Sequence, residues 1–269
     1  MADSSHYVIR GGLEGRERLR VLARVMHPTS MALLDRCGLR DGLTCLDVGC
    51  GGGDVTLELA RRVAPNGTAV GVDLDETKLQ LARAEAHEQG ITRVEFHRLD
   101  VREPSALPMV DFLYARFLLT HLSDPAAMVD RFHRQIRPGG VIAVEDIDFS
   151  GNLTRPASKA FERYHELYRA TVTRRGGDPD IGPRLPGLLK HAGFENIRVS
   201  VVQPMALEGE AKILSALTME NIAGAVLEDG LASRAEIDGL VRELHAFAAD
   251  PTTLAGVPRI FQVSADVRR

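Results

Sequence analysis

Three cysteines in 269 residues, Cys37, Cys45 and Cys50, form an odd set with no CxxC pair and no accompanying histidine spacing. Neither a disulfide framework nor a zinc site is indicated, and no metal is expected. The chain also lacks any run approaching the ~18 consecutive apolar residues that a membrane helix needs. Its opening, MADSSHYVIR, has neither the basic start nor the apolar middle of a signal peptide. The expected setting is therefore the cytoplasm, with no membrane partner. A strong charge of one sign is missing too. The formal net charge is −4, which argues against a sequence-independent hold on polyphosphate backbones, and no basic, aromatic-rich strip marks a nucleic-acid surface. Internal repeats, low-complexity tracts and long charge runs are absent, which disfavours a repeat array or a disordered interaction tail. What remains is an ordinary folded composition, 44% apolar and 26% charged, long enough for one large α/β domain or a core with a smaller cap.

The pattern along the chain is more specific. Residues 14–36 carry Leu19, Leu22, Ala23 and Met26, then Met31 and Leu34 after Pro28, at helical spacing. Two helices joined near Pro28 are expected. From residue 42 onward, short apolar runs (TCLDV, TAVGVD, RVEFHR, VDFLYA, GVIAVEDI) alternate with amphipathic stretches at 54–64, 75–89 and 124–137. This rhythm predicts a parallel sheet with helical crossovers, and continuous apolar runs suit strands covered on both faces. Helices are expected at 157–175, 184–193, 210–226 and 233–249, with strands at NIRVSVVQPM and RIFQVSAD. The last two strands can pair antiparallel at a sheet edge. The division expected is residues 1–40 as an N-terminal helical extension, 41–150 as the ligand-binding core, and 151–269 as helical cap inserts with the final strand pair.

The loop in LDVGCGGGDVTLELA holds Gly49, Gly51, Gly52 and Gly53 between the first strand and its helix. In an open α/β sheet this is where bare backbone and a helix N-terminus meet a ligand. A P-loop would end in GK[ST], but Asp54 stands at that place. A dinucleotide site wants GxGxxG. Counted from Gly49, the sixth position is Asp54, so the third glycine, which allows close helix packing, is absent. Asp47 and Asp54 flank the loop and would repel a pyrophosphate. A ligand with positive charge and no phosphate fits better, and S-adenosylmethionine is one. Asp73 ends the second strand 20 residues after Gly53, where a carboxylate can accept both ribose hydroxyls. Asp100 ends the third, where it can receive the adenine amino group while Leu74 and Val101 cover the ring faces. Capping the next helix is the alternative for Asp73, and a strand-end turn the alternative for Asp100.

LDVGCGGG, GVDLD, LDV at 99–101, ARFLLTHLSDP and IRPGGVIAVED stand in an order and spacing that resemble the class I S-adenosylmethionine-dependent methyltransferases, closest to the bacterial small-molecule branch of ubiquinone and menaquinone type. The resemblance implies a Rossmann-like seven-stranded, mostly parallel sheet with helices on both faces and an antiparallel last strand, extended by the N-terminal helices and the cap. It implies S-adenosylmethionine as cofactor and a small-molecule methyl acceptor as partner, and it leaves room for a homodimer. Carried over by position, it sets Asp47, Gly49 and Gly51, with the small residue Cys50 among them, around the methionine part. Asp73 and Leu74 fall at the ribose, Asp100 and Val101 at the adenine, and Arg116 along the cofactor. The opening YVIRGGLEGRERL looks like a Tyr…Glu-Arg-Leu entry of some bacterial members, so Tyr7 and Arg18 are expected to close over the cofactor.

For catalysis, His121 follows the fourth strand, where a histidine of near-neutral pKa can take a proton from an acceptor hydroxyl or amine; packing against backbone is its other role. Glu145 and Asp146, with Asp148 beyond them, end the fifth strand at the same mouth, although alternation turns at least one away. Two other classes stay open: a nicotinamide-dependent oxidoreductase, and a domain that binds S-adenosylmethionine without transferring its methyl group.

Overall fold

The computed structural model describes residues 12–103 and 107–268. The chain begins with one helix, α1 (Gly12–Arg36), which runs through Pro28 without a break. That differs from the two helices expected. Proline removes the N–H that would serve the Arg24 carbonyl, but Arg24 and Pro28 both lie on the exposed side, where water reaches that carbonyl. Thr29 Oγ1 donates to Met26 O at 3.0 Å one turn back, and Met26, Leu33 and Leu34 are buried on the opposite face. Burial of that face outweighs one lost hydrogen bond.

Five strands with three helices between them follow: β1 (Thr44–Val48), α2 (Asp54–Val63), β2 (Thr68–Asp73), α3 (Glu76–Glu88), β3 (Val94–Arg98), β4 (Val110–Arg116), α4 (Pro125–Gln135) and β5 (Ile136–Asp148). After them come α5 (Lys159–Arg174), α6 (Leu185–His191), β6 (Glu195–Val202), the two-residue β7 (Met205–Ala206), α7 (Glu210–Glu228), α8 (Arg234–Ala249), the two-residue β8 (Ala255–Gly256) and β9 (Arg259–Asp266). The run expected as one strand, NIRVSVVQPM, is split because Pro204 has no N–H for the ladder. Its carbonyl instead accepts from Val257 N at 3.1 Å, beside the small β7–β8 ribbon.

The main sheet has seven strands in the order β3-β2-β1-β4-β5-β9-β6. Neighbours from β3 to β5 are parallel, and β9 lies antiparallel to both β5 and β6. The order reverses between β1 and β4, and a crevice forms outside the carboxyl ends of strands at such a point. β4 and β5 are buried along nearly all of their length after Gly140, as a doubly covered sheet requires. A separate core joins α1, α5, α7 and α8 to the end of β5, through Met26, Phe161, Tyr168, Met219 and Leu244 among others. This packing roofs the crevice. Among the described residues no helix is long and apolar enough to cross a membrane.

Candidate active site

A cleft of about 1080 Å³ opens above the carboxyl ends of β1, β2 and β4 and runs under α1, α5 and α7. Its floor is the loop after β1. Gly49, Gly51 and Gly53 take φ of +74°, +55° and +80°, a repeating left-handed step that L side chains resist. Gly49 N and Cys50 N both donate to Val72 O, at 2.8 and 3.0 Å, which fastens the loop to β2. Gly49, Cys50, Gly51 and Gly52 line the cleft, while Gly53 does not. A Cβ on Gly51 or Gly52 would meet nothing within 4 Å, but one on Gly53 would stand 2.8 Å from Ala82 Cβ and Phe96 Cε1. Gly53 therefore performs the close packing for which the sequence had offered no third glycine, one position earlier than GxGxxG places it.

The carboxylates around this loop are held in different ways. Asp47 is buried, and Thr56 Oγ1 donates to its Oδ2 at 2.6 Å. Burial pushes its pKa up to about 7; the Thr56 bond opposes this, and Asp54 and Asp73 add to it. Asp73 accepts from Gly51 N and from Asp75 N, each at 2.9 Å, so it ties the glycine loop to the start of α3. The cap of α3 is Asp75, which accepts from Thr77 N and Lys78 N. Asp54 is paired: Arg116 Nη2 lies 2.8 Å from Oδ2 and 3.1 Å from Oδ1. Thus, of the two acids expected to repel an anion, Asp54 is neutralised by Arg116. Asp47 and Asp73 have no cation paired with them among the described residues.

Asp100 and Val101 line the far end with Leu74. The Asp100 carboxylate is engaged by its neighbour, accepting from Arg102 Nη2 at 2.6 Å and Nε at 2.9 Å, which holds its pKa below the usual range. A ligand amino group there shares or displaces that guanidinium. Arg18 is buried under the roof, and its Nε donates to Thr218 Oγ1 on α7 at 2.9 Å. Tyr7 lies outside the described residues. His121 is half-buried and lines the cleft, but its pKa is pushed down to about 4 by desolvation and by the charges of Arg18 and Lys78. This corrects the near-neutral value expected from its place in the sequence: burial removes the water that would solvate an imidazolium.

Glu145 and Asp146 are not on the cleft. Glu145 accepts a very short hydrogen bond from Tyr114 and another from Gln262 Nε2 at 2.8 Å, and it is completely buried between strands. Asp146 accepts from Thr120 N at 3.1 Å and Ile147 N at 2.9 Å. It fastens the turn that presents His121 rather than meeting a substrate, and burial raises its pKa to about 7. Asp148 is taken by Arg259 and Ser150. Each acid spends its lone pairs on protein donors, so the expected cluster at the mouth is not assembled. Residues 173–185 pack back onto the fold through Thr120 and Phe149, as Asp178 N donates to Thr120 O at 2.9 Å and Phe149 N to Pro179 O at 3.1 Å.

Lys78, Ser215 and Thr218 also line the cleft and were not anticipated. Ser215 and Thr218 stand three apart on α7, among apolar residues, a pairing of small hydroxyls on one helical face that is visible in the sequence. Tyr164 and Tyr168, one turn apart on α5, are both buried and both wall the cleft.

Comparison with known proteins bears on this arrangement. The profile of a family described as "Methyltransferase domain" matches residues 39–197. Nocamycin O-methyltransferase of Saccharothrix syringae is 37% identical over 119 residues, covering 44% of this chain and 42% of that protein. Ubiquinone/menaquinone biosynthesis C-methyltransferase of Klebsiella pneumoniae is 29% identical over 181 residues, covering 61% of this chain and 71% of that protein. Among solved structures, a phosphoethanolamine N-methyltransferase of Haemonchus contortus, in complex with S-adenosylhomocysteine, superposes with a TM-score of 0.57 at 20% identity, over 90% of this chain and 53% of its own. At that identity the likeness speaks for the fold.

Proposed function

Because the chain belongs to the methyltransferase-domain family, whose profile covers residues 39–197, we propose that it moves the methyl group of S-adenosylmethionine to a small-molecule acceptor. The observation that carries this reading is the electrostatics of the cleft floor. Two carboxylates, Asp47 and Asp73, have no paired cation among the described residues and stand beside glycine backbone, at Gly51 and Gly52, with open space where a Cβ would be. Such a floor disfavours pyrophosphate and suits a cationic ligand. Asp47 and the loop Gly49–Gly51 face the amino-acid part, Asp73 and Leu74 the ribose, and Asp100 and Val101 the adenine. Arg116 keeps the start of α2 neutral through Asp54. S-adenosylmethionine, when bound, supplies a methyl group already activated by its positive sulfur. The protein's work is then alignment and exclusion of water. The roof of Tyr164, Tyr168, Ile147 and Leu214 keeps the acceptor half apolar. His121 is neutral at working pH and able to accept a proton from an acceptor hydroxyl or amine.

Incubation with methyl-deuterated S-adenosylmethionine and a small-molecule extract tests the proposal by mass spectrometry. A deuterated product matched by S-adenosylhomocysteine is expected. Cofactor binding without either product would contradict methyl transfer.

Replacing His121 by alanine is expected to change cofactor affinity less than threefold and to lower kcat at least tenfold, since a positioned base contributes roughly 10²–10⁴-fold. Equal losses of thermal stability and activity would return His121 to a packing role. Because its pKa is about 4, activity is not expected to titrate away through His121 between pH 8 and 5.

Asp47 gives the cofactor affinity a pH dependence. Its pKa in the free protein is about 7, and a bound cation favours the ionised form, so binding expels a proton. Affinity should be greatest above pH 7 and fall by up to about tenfold per unit below it. Calorimetric titration at pH 8 and pH 6, in buffers of different ionisation enthalpy, measures both the affinity and the proton. Asp47→Asn should remove both effects, and an unchanged pH profile in that variant would remove Asp47 from the site.

A further inference from the structure

We propose that Arg18 is the counter-ion of an acidic group on the methyl acceptor, so that the acceptor is a small anion, a carboxylate in the first instance, with an apolar body seated against Tyr164 and Tyr168. This rests on the methyl-transfer reading and deepens it. Arg18 is only 9% exposed and lines the cleft. Its Nε donates to Thr218 Oγ1 across 200 residues of sequence, and Thr218 in turn donates to Leu214 O at 2.6 Å, so the guanidinium is fixed against α7. Among the described residues no carboxylate pairs with it and its terminal N–H groups have no protein acceptor. Two other arginines bordering the cleft are treated differently: Arg116 is paired with Asp54 and Arg24 with Glu210. A largely buried guanidinium whose two terminal NH2 groups have no acceptor among the described residues is a fork set for a planar anion.

The surroundings say which anion. The Nε bond to Thr218 sets Arg18 against α7 on the roof of the cleft, and its charge is felt by Tyr164 on α5 and by His121 after β4. Tyr168 stacks on Phe149 with ring centroids 4.0 Å apart and planes 8° from parallel, a flat wall suited to an aromatic or unsaturated body. The amino-acid carboxylate of the cofactor is the competing source of the same chemistry. An anion at Arg18 also cancels one of the charges that holds the His121 pKa down, so acceptor binding would itself make His121 a better base.

The test uses the full chain saturated with S-adenosylhomocysteine and titrated calorimetrically with benzoate, phenylacetate and 3-phenylpropanoate, each against its primary amide. At least one acid is expected to bind tenfold or more tighter than its amide. Arg18→Met should abolish that preference and change S-adenosylhomocysteine affinity less than threefold. Arg18→Lys, which keeps the charge, should retain part of the preference and guards against a folding defect in the methionine variant. The His121 resonance, followed by NMR, should titrate at higher pH when the acid is bound. Acids no tighter than amides, or no acid bound at millimolar concentration, would overturn the inference. So would an Arg18→Met variant that keeps the acid preference while losing tenfold in S-adenosylhomocysteine affinity, which would assign the guanidinium to the cofactor carboxylate. Wild-type protein that binds no S-adenosylhomocysteine overturns the methyl-transfer reading itself, and the inference with it.

Discussion

Asp73→Ala is expected to weaken S-adenosylmethionine binding by more than tenfold. The carboxylate holds Gly51 N and Asp75 N, each at 2.9 Å, and so sets the distance between the glycine loop and the start of α3, while its position on the cleft lets it accept ribose hydroxyls. Alanine removes all of these at once. Hydrogen bonds to a charged group contribute about 1.5–3 kcal/mol each, and the loss falls partly on stability and partly on affinity. Calorimetry reads the affinity and thermal unfolding reads the stability. Asp73→Asn keeps one acceptor oxygen and should sit between the two. Cofactor affinity unchanged in Asp73→Ala would remove the ribose assignment, because no rearrangement of the loop restores a bidentate acceptor at that place.

The second large effect concerns folding rather than ligand. Gly53→Ala should destabilise the protein by roughly 2–4 kcal/mol, combining the cost of a left-handed alanine at φ +80° with overpacking against Ala82 and Phe96 at 2.8 Å. For a chain of this size that lowers the thermal midpoint by roughly 5–15 °C. Gly51→Ala makes the comparison: at φ +55° a Cβ meets nothing within 4 Å, so only the backbone term, about 1 kcal/mol, remains, while its position on the cleft puts cofactor affinity at risk. Equal stability losses in the two variants would contradict the packing role given to Gly53.

These two positions also show what the sequence could tell. Motifs compact along the chain were legible: the glycine loop after β1, the carboxylate at the end of β2, and the alternation of short apolar runs with amphipathic stretches that makes a doubly covered parallel sheet. Their chemistry lies within the sheet repeat, where spacing fixes position. What escaped were pairings between distant segments. Asp54 looked like a repelling charge because Arg116, 62 residues away, neutralises it. Glu145 and Asp146 looked like a catalytic mouth because nothing local says that Tyr114, Gln262 and the backbone of Thr120 take up their lone pairs. The bond that holds Arg18 to Thr218, 200 residues away, is of the same kind. The depressed pKa of His121 is of the same kind, set by burial under a roof assembled from three separate helices. Pro28 misled for the opposite reason: a local rule about proline gave way to the buried face of a long helix.

The measurement that tests the account most directly is a calorimetric titration of the wild-type chain with S-adenosylmethionine, S-adenosylhomocysteine and NADH at pH 8. The account predicts saturable micromolar binding of the first two and no binding of NADH. NADH binding with neither of the others would contradict it and show that the uncompensated carboxylates of the cleft floor tolerate a pyrophosphate after all.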